Sequence, residues 1–309
     1  MDMNIAIVGP GAIGLLLTGF LHRNARVTLV DYQPERAKLL NEKGIRWEGL
    51  EGEEQLTVPV IHTLDRTDFD IVIICVKAYN TEDAAKELQR AGYRGPVLTM
   101  QNGLGNVELL REYLPESPLI AGTTSQGATL VDIGHVRHAG KGKTAFGEVV
   151  AGKTDKKFMD DIVGLMNSSG LEVELAADVD SLIWGKLLIN VGINALTAIL
   201  TVQNGKLLEY SQAKLLMAEL VLEGWDLVKK KGIALPYSDP VARTEEVCRL
   251  TAKNFSSMYQ DLHKRGRTEI DFINGAIVRE GDAIDIRYPY NESVTSLIHG
   301  LEAVKQASI

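Results

Sequence analysis

Residues 4–14, Asn4-Ile5-Ala6-Ile7-Val8-Gly9-Pro10-Gly11-Ala12-Ile13-Gly14, decide the fold of this 309-residue chain. An apolar run ending at Val8 breaks at Gly9, Gly11 and Gly14, and a second apolar run resumes over Arg26 to Asp31. The pattern reads as a strand, a glycine-rich turn, a helix and a second strand. The three glycines do different things. Gly9 turns the chain sharply, Gly11 lets backbone approach a pyrophosphate, and Gly14 lets the helix pack closely on the strand. A phosphate then rests on the helix N-terminus, where free amides and the helix dipole favour negative charge. Asp31 closes the unit twenty residues after Gly11, where an acid can accept hydrogen bonds from the adenosine ribose. A carboxylate there repels the additional phosphate of NADP, so Asp31 by itself favours NADH. Arg36 could reach the same region, but on a helix beginning at Pro34 it is expected to be solvated.

Composition narrows the class further. With 45% hydrophobic residues the chain can bury ample core and is long enough for two domains. A formal net charge of -8 argues against nucleic acid or an anionic membrane as partner. An anionic substrate then depends on donors placed beside it, because exposed charges are screened beyond about 8 Å. Cys75 and Cys248 are the two cysteines and read as reduced, buried thiols. The six histidines are scattered without ligand spacing, so no metal site is expected. No apolar stretch is judged to approach the roughly 20 residues of a membrane helix, and no signal-peptide pattern is seen, so the expected location is the cytoplasm.

Strand-like and helix-like segments alternate up to about residue 122: strands at Asp70 to Val76, Pro96 to Met100 and Pro118 to Ala121, with helices near Thr81 to Ala91 and Asn106 to Leu114. This predicts a parallel, doubly wound sheet. From Thr123 to Val150 the glycine-punctuated alternating runs predict antiparallel strands added to one sheet edge. A helix from Asp155 to Ser168 and a strand at Leu171 to Leu175 complete a first domain, residues 1–177. Residues 178–309 carry helical period almost throughout, including Ser181 to Leu200 and Ala213 to Lys231. An apolar face in this part can serve a core or a homodimer, and the two look alike in sequence.

In doubly wound sheets ligands lie beyond the carboxyl ends of the strands, which directs attention to Lys77 and to Gln101-Asn102-Gly103. A reductase delivering hydride to a carbonyl also needs a proton donor for the developing alkoxide. Lys186, Asn190 and Asn194 are spaced by four and so form one polar stripe on a helix that is otherwise apolar: Leu187, Leu188, Ile189, Val191 and Ile193. Polar groups sunk among apolar ones cost roughly 1 to 3 kcal/mol each without partners, so the stripe asks for a ligand. The alternative is an interdomain polar network with Lys186 paired to a carboxylate such as Glu269. A partly desolvated lysine sheds its proton readily, as a general acid must.

A third block, Asn254-Phe255-Ser256-Ser257-Met258-Tyr259-Gln260-Asp261 followed by Gly266-Arg267-Thr268-Glu269-Ile270-Asp271-Phe272-Ile273-Asn274-Gly275, completes a pattern. Together with the GPGAIG turn and the lysine–asparagine stripe, it closely resembles the 2-dehydropantoate 2-reductases, or ketopantoate reductases. The resemblance covers nearly the whole chain, including Lys77, Gln101-Asn102-Gly103, Gly122-Thr123-Thr124 and Asn204-Gly205. It implies an α/β Rossmann N-terminal domain plus an all-α C-terminal domain like that of 6-phosphogluconate dehydrogenases. It also implies reduction of 2-dehydropantoate to (R)-pantoate, a step toward pantothenate and coenzyme A. By the same resemblance Lys186 matches the proton donor, with Glu269 near enough to influence its proton. Asn190, Asn194, Asn204 and Ser257 match positions that hold the keto acid, and Asn102 also falls where the substrate lies. Gly9, Pro10, Gly11, Ala12, Ile13, Gly14, Lys77, Asn102, Ala128 and Glu269 match cofactor-contacting positions. Family members commonly use NADPH and carry a basic residue where this chain has Asp31, so coenzyme choice stands between NADPH by family habit and NADH by residue. Relatives with the same lysine and asparagines could reduce other branched 2-keto acids, and a non-catalytic NAD(P)-binding regulator would have lost the stripe.

Overall fold

The computed structural model describes residues 3–264 and 266–307. The chain gathers into two units, Met1–Gln101 with Asn106–Val179, and Asn102–Gly105 with Asp180–Ile309.

The first unit is built on β1 (Asn4–Val8), α1 (Ala12–Leu21), β2 (Arg26–Val30), α2 (Pro34–Lys43), β3 (Ile45–Glu48), β4 (Glu53–Leu56), β5 (Val60–Ile61), β6 (Ile71–Ile74), α3 (Thr81–Arg90), β7 (Val97–Thr99), α4 (Asn106–Tyr113), β8 (Leu119–Thr124), β9 (Gly127–Asp132), β10 (His135–Gly140), β11 (Lys143–Glu148), α5 (Lys156–Ser168) and β12 (Glu172–Leu175). Its main sheet has eight strands in the order β12-β11-β8-β7-β6-β1-β2-β5. The six from β5 to β8 are mutually parallel. Chain order reverses at β1, which pairs with β2 on one side and β6 on the other. That reversal opens the crevice at the carboxyl ends where doubly wound sheets take their ligands. Side-chain alternation explains why the strands read as continuous apolar runs. Ile5, Ile7, Leu29 and Ile73 enter one core cluster, whereas Ala6, Val8, Val30 and Ile74 enter another. A parallel sheet covered on both faces has no solvent side to mark with polar residues.

The expectation that the segment 123–150 adds antiparallel strands to one edge holds only in part. β11 does pair antiparallel with β8, and β12 runs parallel beyond it. The β9–β10 hairpin instead joins β3 and β4 in a separate four-stranded sheet, β4-β3-β10-β9. A parallel pairing of β10 with β3 gives the hairpin its partner, and Val136 is fully buried there. α1 packs on this small sheet as well as on β1 and β2, which is why Leu15, Leu16, Leu17 and Leu21 are all buried. A Cβ on Gly19 would lie 2.1 Å from the Trp47 indole, so only glycine fits where α1 meets the small sheet.

The second unit is helical: α6 (Val179–Leu200), α7 (Lys206–Glu209), α8 (Ser211–Lys230), α9 (Pro240–Leu250), α10 (Ser257–Lys264), α11 (Asn274–Asp282) and α12 (Pro289–Gln306), with a 3-10 turn at Ile270–Phe272. α6 corrects one sequence expectation, since its 22 residues are long and apolar enough to cross a membrane. Burial explains that composition: Leu187, Leu188, Val191, Ile193 and Leu196 form the centre of this unit's core with Met217, Leu220 and Ile277. Gly192 and Gly224 let α8 close on α6, because added Cβ atoms would meet Val221 at 2.7 Å and Leu188 at 2.5 Å. A buried polar chain ties four helices. Asn274 donates to the Val191 carbonyl and to Asn291, which donates to the Leu220 carbonyl and the Glu223 carboxylate.

Candidate active site

In the first unit the glycine turn follows β1 directly. Gly9 has a φ of +105°, and a Cβ there would lie 2.7 Å from the Val76 nitrogen. A Cβ on Gly14 would sit 2.0 Å from the Gly9 carbonyl oxygen, so this glycine sets how closely α1 seats on the turn. Gly11 begins α1 in extended conformation with no side-chain cap and no acidic residue in the first turn. Leu15 is the first amide to close on the helix, donating to Gly11. The amides of Ala12, Ile13 and Gly14 precede it and point toward the open end. With half-buried Pro10 leading in, this backbone fits a pyrophosphate.

Asp31, Lys77 and Gln101 each follow a strand of the main sheet at its carboxyl end. Lys77 stands three residues beyond β6 and opens a 3-10 turn, its carbonyl accepting from Asn80 N at 2.8 Å. Gln101 locks the ends of β6 and β7 together, donating through Nε2 to the Val76 carbonyl and Thr81 Oγ1, both at 2.8 Å. Ala128 lies on β9 in the small sheet, opposite His138. Asp31 is only 1% exposed at the end of β2. Contrary to the sequence expectation, Arg36 is not simply solvated. It grips Asp31 through Nε to Oδ2 and through Nη2 to Oδ1, the latter at 2.7 Å. The first turn of α2 places residue 36 back over residue 31, and the Gln33 amide donates to the same carboxylate at 3.1 Å.

The second unit assembles its own set. Lys186, Asn190 and Asn194 all lie on α6, as their spacing requires. Burial pushes the Lys186 ammonium down to about 8, partly offset by the negative charge of Glu269. That carboxylate is 4% exposed and begins the 3-10 turn. The feature read from sequence as either a ligand site or a polar pair is therefore a lysine whose proton is loosened by burial and held by a carboxylate. Asn194 is 5% exposed, and among the described residues no hydrogen bond of its side-chain amide or that of Asn190 is recorded, which suits them to a ligand. Asn204 donates through Nδ2 to Thr251 at 2.9 Å, while its buried Oδ1 has no hydrogen-bond partner among the described residues. An unmatched buried acceptor of this kind costs about 1–3 kcal/mol and calls for a hydroxyl or similar donor.

The serine pair divides its work. Ser256 is buried, with Thr197 of α6 donating to it at 2.7 Å, and it caps α10 by accepting from Tyr259 N at 3.1 Å. Ser257 is the first residue of α10 and is half-buried. Asn102 belongs by its contacts to this second unit, since the adjoining Leu104 amide donates to the Phe272 carbonyl at 2.8 Å. Gly103, at φ +85°, passes so close to Phe272 that a Cβ would stand 2.3 Å from its oxygen. Sequence reasoning missed Tyr237, whose hydroxyl donates to the Gly185 carbonyl at 2.5 Å, one residue before Lys186. Pro236 packs beside it, 2.9 Å from where a Cβ on Gly185 would be. A lone tyrosine in a loop about fifty residues onward carries no local pattern that points back to α6.

The chain matches the family described as Ketopantoate reductase PanE/ApbA over residues 5–151, and the one described as Ketopantoate reductase PanE/ApbA C terminal over residues 178–302. It is 36% identical over 299 residues to the 2-dehydropantoate 2-reductase of Halobacterium salinarum, covering 96% of this chain and 98% of that one. Among solved structures it is similar to a PanE/ApbA family ketopantoate reductase from Ralstonia eutropha, with a TM-score of 0.88, 30% identity, and coverage of 98% of this chain and 100% of the other. It is also similar to D-mandelate dehydrogenase solved with NADH and anilino(oxo)acetate, with a TM-score of 0.91, 28% identity, and coverage of 98% and 100%.

Proposed function

The chain belongs to the ketopantoate reductase family, and on that premise we propose that it is a cytoplasmic oxidoreductase reducing 2-dehydropantoate to (R)-pantoate with NADPH or NADH, a step toward pantothenate and coenzyme A. The observation that carries the reading is a lysine with a lowered pKa on a polar stripe of α6 in which Lys186 and Asn190 are half-buried and Asn194 is buried, in a chain whose two halves both match that family. When bound, a reduced nicotinamide would supply the hydride for the carbonyl carbon. Gly9, Pro10, Gly11, Ala12, Ile13 and Gly14 would hold the pyrophosphate, Asp31 after β2 would stand on the adenosine side of the coenzyme, and Lys77, Asn102, Ala128 and Glu269 would complete the coenzyme contacts. Lys186 gives its proton to the carbonyl oxygen as negative charge develops there and is recharged from solvent. With a pKa of about 8 it is mostly protonated at neutral pH, yet gives up its proton more easily than an ordinary lysine. Asn190, Asn194 and Asn204 bind the carboxylate and hydroxyl through neutral amides, and Ser257 adds a hydroxyl.

Asp31 taken alone speaks for NADH, whereas family habit speaks for NADPH. A second substrate reading is favoured by the likeness to D-mandelate dehydrogenase: the same machinery would then reduce a different 2-keto acid. The test is kcat/KM for 2-dehydropantoate and for phenylglyoxylate, each with NADH and NADPH, followed at the nicotinamide absorbance. Efficient turnover of 2-dehydropantoate supports the first reading. Turnover of phenylglyoxylate alone supports the second, and coenzyme binding without turnover of either overturns both.

A further inference from the structure

Asp31 is placed where a carboxylate ordinarily receives the ribose hydroxyls and repels a 2′-phosphate. Its surroundings remove that freedom. One oxygen accepts from Arg36 Nη2 and from the Gln33 amide, the other accepts from Arg36 Nε, and the residue is 1% exposed. The arginine above it keeps 35% side-chain exposure. A guanidinium has five N–H groups arranged along two usable edges. Here the Nε–Nη2 edge is spent on the carboxylate. The edge formed by Nη1 and the outer hydrogen of Nη2 points away from it, a fork that suits a phosphate bidentately. The pair as a whole carries no net charge, so a phosphate approaching it meets donors rather than a bare carboxylate.

Resting on the dinucleotide reading of the glycine turn, we infer that Arg36 is the residue that selects the coenzyme: Asp31 holds it by one edge so that its other edge receives the 2′-phosphate of NADPH. Asp31 is thereby a positioning residue for an arginine, and the acid does not exclude the phosphorylated coenzyme. This inverts the meaning of the motif taken from sequence, in which the acid at the end of the second strand marks NADH.

The experiment is calorimetric titration of the full chain with adenosine 2′,5′-bisphosphate and with 5′-AMP, which differ by the phosphate in question. The wild type is expected to bind the bisphosphate at least tenfold more tightly than AMP, with an advantage that shrinks as salt is raised. Arg36→Gln, which keeps a donor for Asp31, is expected to lose that advantage while its AMP affinity stays within about twofold. Arg36→Lys, a point charge without the fork, is expected to keep only part of it. The NADPH-to-NADH ratio of dissociation constants should follow the same order. A wild type that prefers AMP, or an Arg36→Gln variant that keeps the bisphosphate preference, overturns the assignment while leaving the reductase reading intact. Failure of both nucleotides and both coenzymes to bind the wild type overturns the dinucleotide reading and the assignment with it.

Discussion

Lys186 is set among Leu187, Leu188 and Val191, and that setting has a measurable signature. Because burial lowers its pKa to about 8, the proton needed for reduction is present below that value and lost above it. kcat for keto-acid reduction should therefore fall with rising pH through a single ionisation near pH 8, while the reverse oxidation rises. The Glu269 charge raises the lysine pKa, so Glu269→Gln should move this midpoint to lower pH. A pH–rate series on wild type and variant checks both, and a midpoint unmoved by Glu269→Gln would disconnect the two groups. Lys186→Ala should lower kcat by about 10²–10⁴-fold, the usual worth of a general acid, with coenzyme affinity by fluorescence titration nearly unchanged.

At the scale of elements, α1 and α10 show how packing fixes the functional termini. α1 is clasped between two sheets, and Gly19→Ala would drive a methyl group into Trp47. Overpacking of this kind costs about 1–3 kcal/mol, readable as a lower midpoint in urea. Ser256→Ala removes both the α10 cap and the hydroxyl contact to Thr197 of α6. A loss of about 0.5–2 kcal/mol is expected from the cap alone. The glycine turn was legible because its meaning is local: strand, three glycines and helix follow one another within a few residues. The α6 stripe was legible because a spacing of four is a geometric fact about helices. The small sheet was not, since its strands Ile45–Glu48 and Glu53–Leu56 are short and polar, and β10 pairs with β3 across a long stretch of chain. Tyr237 escaped, and the pairing of Arg36 was passed over for solvation, for a related reason. Their importance lies in what they touch, Asp31 and the Gly185 carbonyl, and neither contact leaves a period in the sequence.

Across the whole molecule, each unit has its own buried core and, in the proposed reading, its own share of the chemistry: phosphate-binding backbone in the first, proton donor and amides in the second. Coenzyme affinity and proton transfer should then be separable by mutation. Gly14→Val, which places a side chain against the Gly9 carbonyl, should abolish the thermal shift produced by NADPH. In the wild type, coenzyme at a hundredfold over its Kd stabilises by about 2.7 kcal/mol. Hydrogen exchange with and without NADPH should find the gained protection concentrated at residues 9–14 and 75–77, and protection gained equally throughout would contradict the assignment.

The short peptide Asn102–Gly105 lies between β7 and α4 of the first unit, yet its contacts belong to the second, where Leu104 is bonded to Phe272. For anyone dissecting or recombining this enzyme, the seam is therefore not a single cut at residue 179. A fragment starting at Asp180 would leave the Phe272 carbonyl without its donor, and a chimera that exchanges the helical half alone would inherit a foreign tetrapeptide at that point. Grafts between relatives should carry residues 102–105 along with the half that they serve.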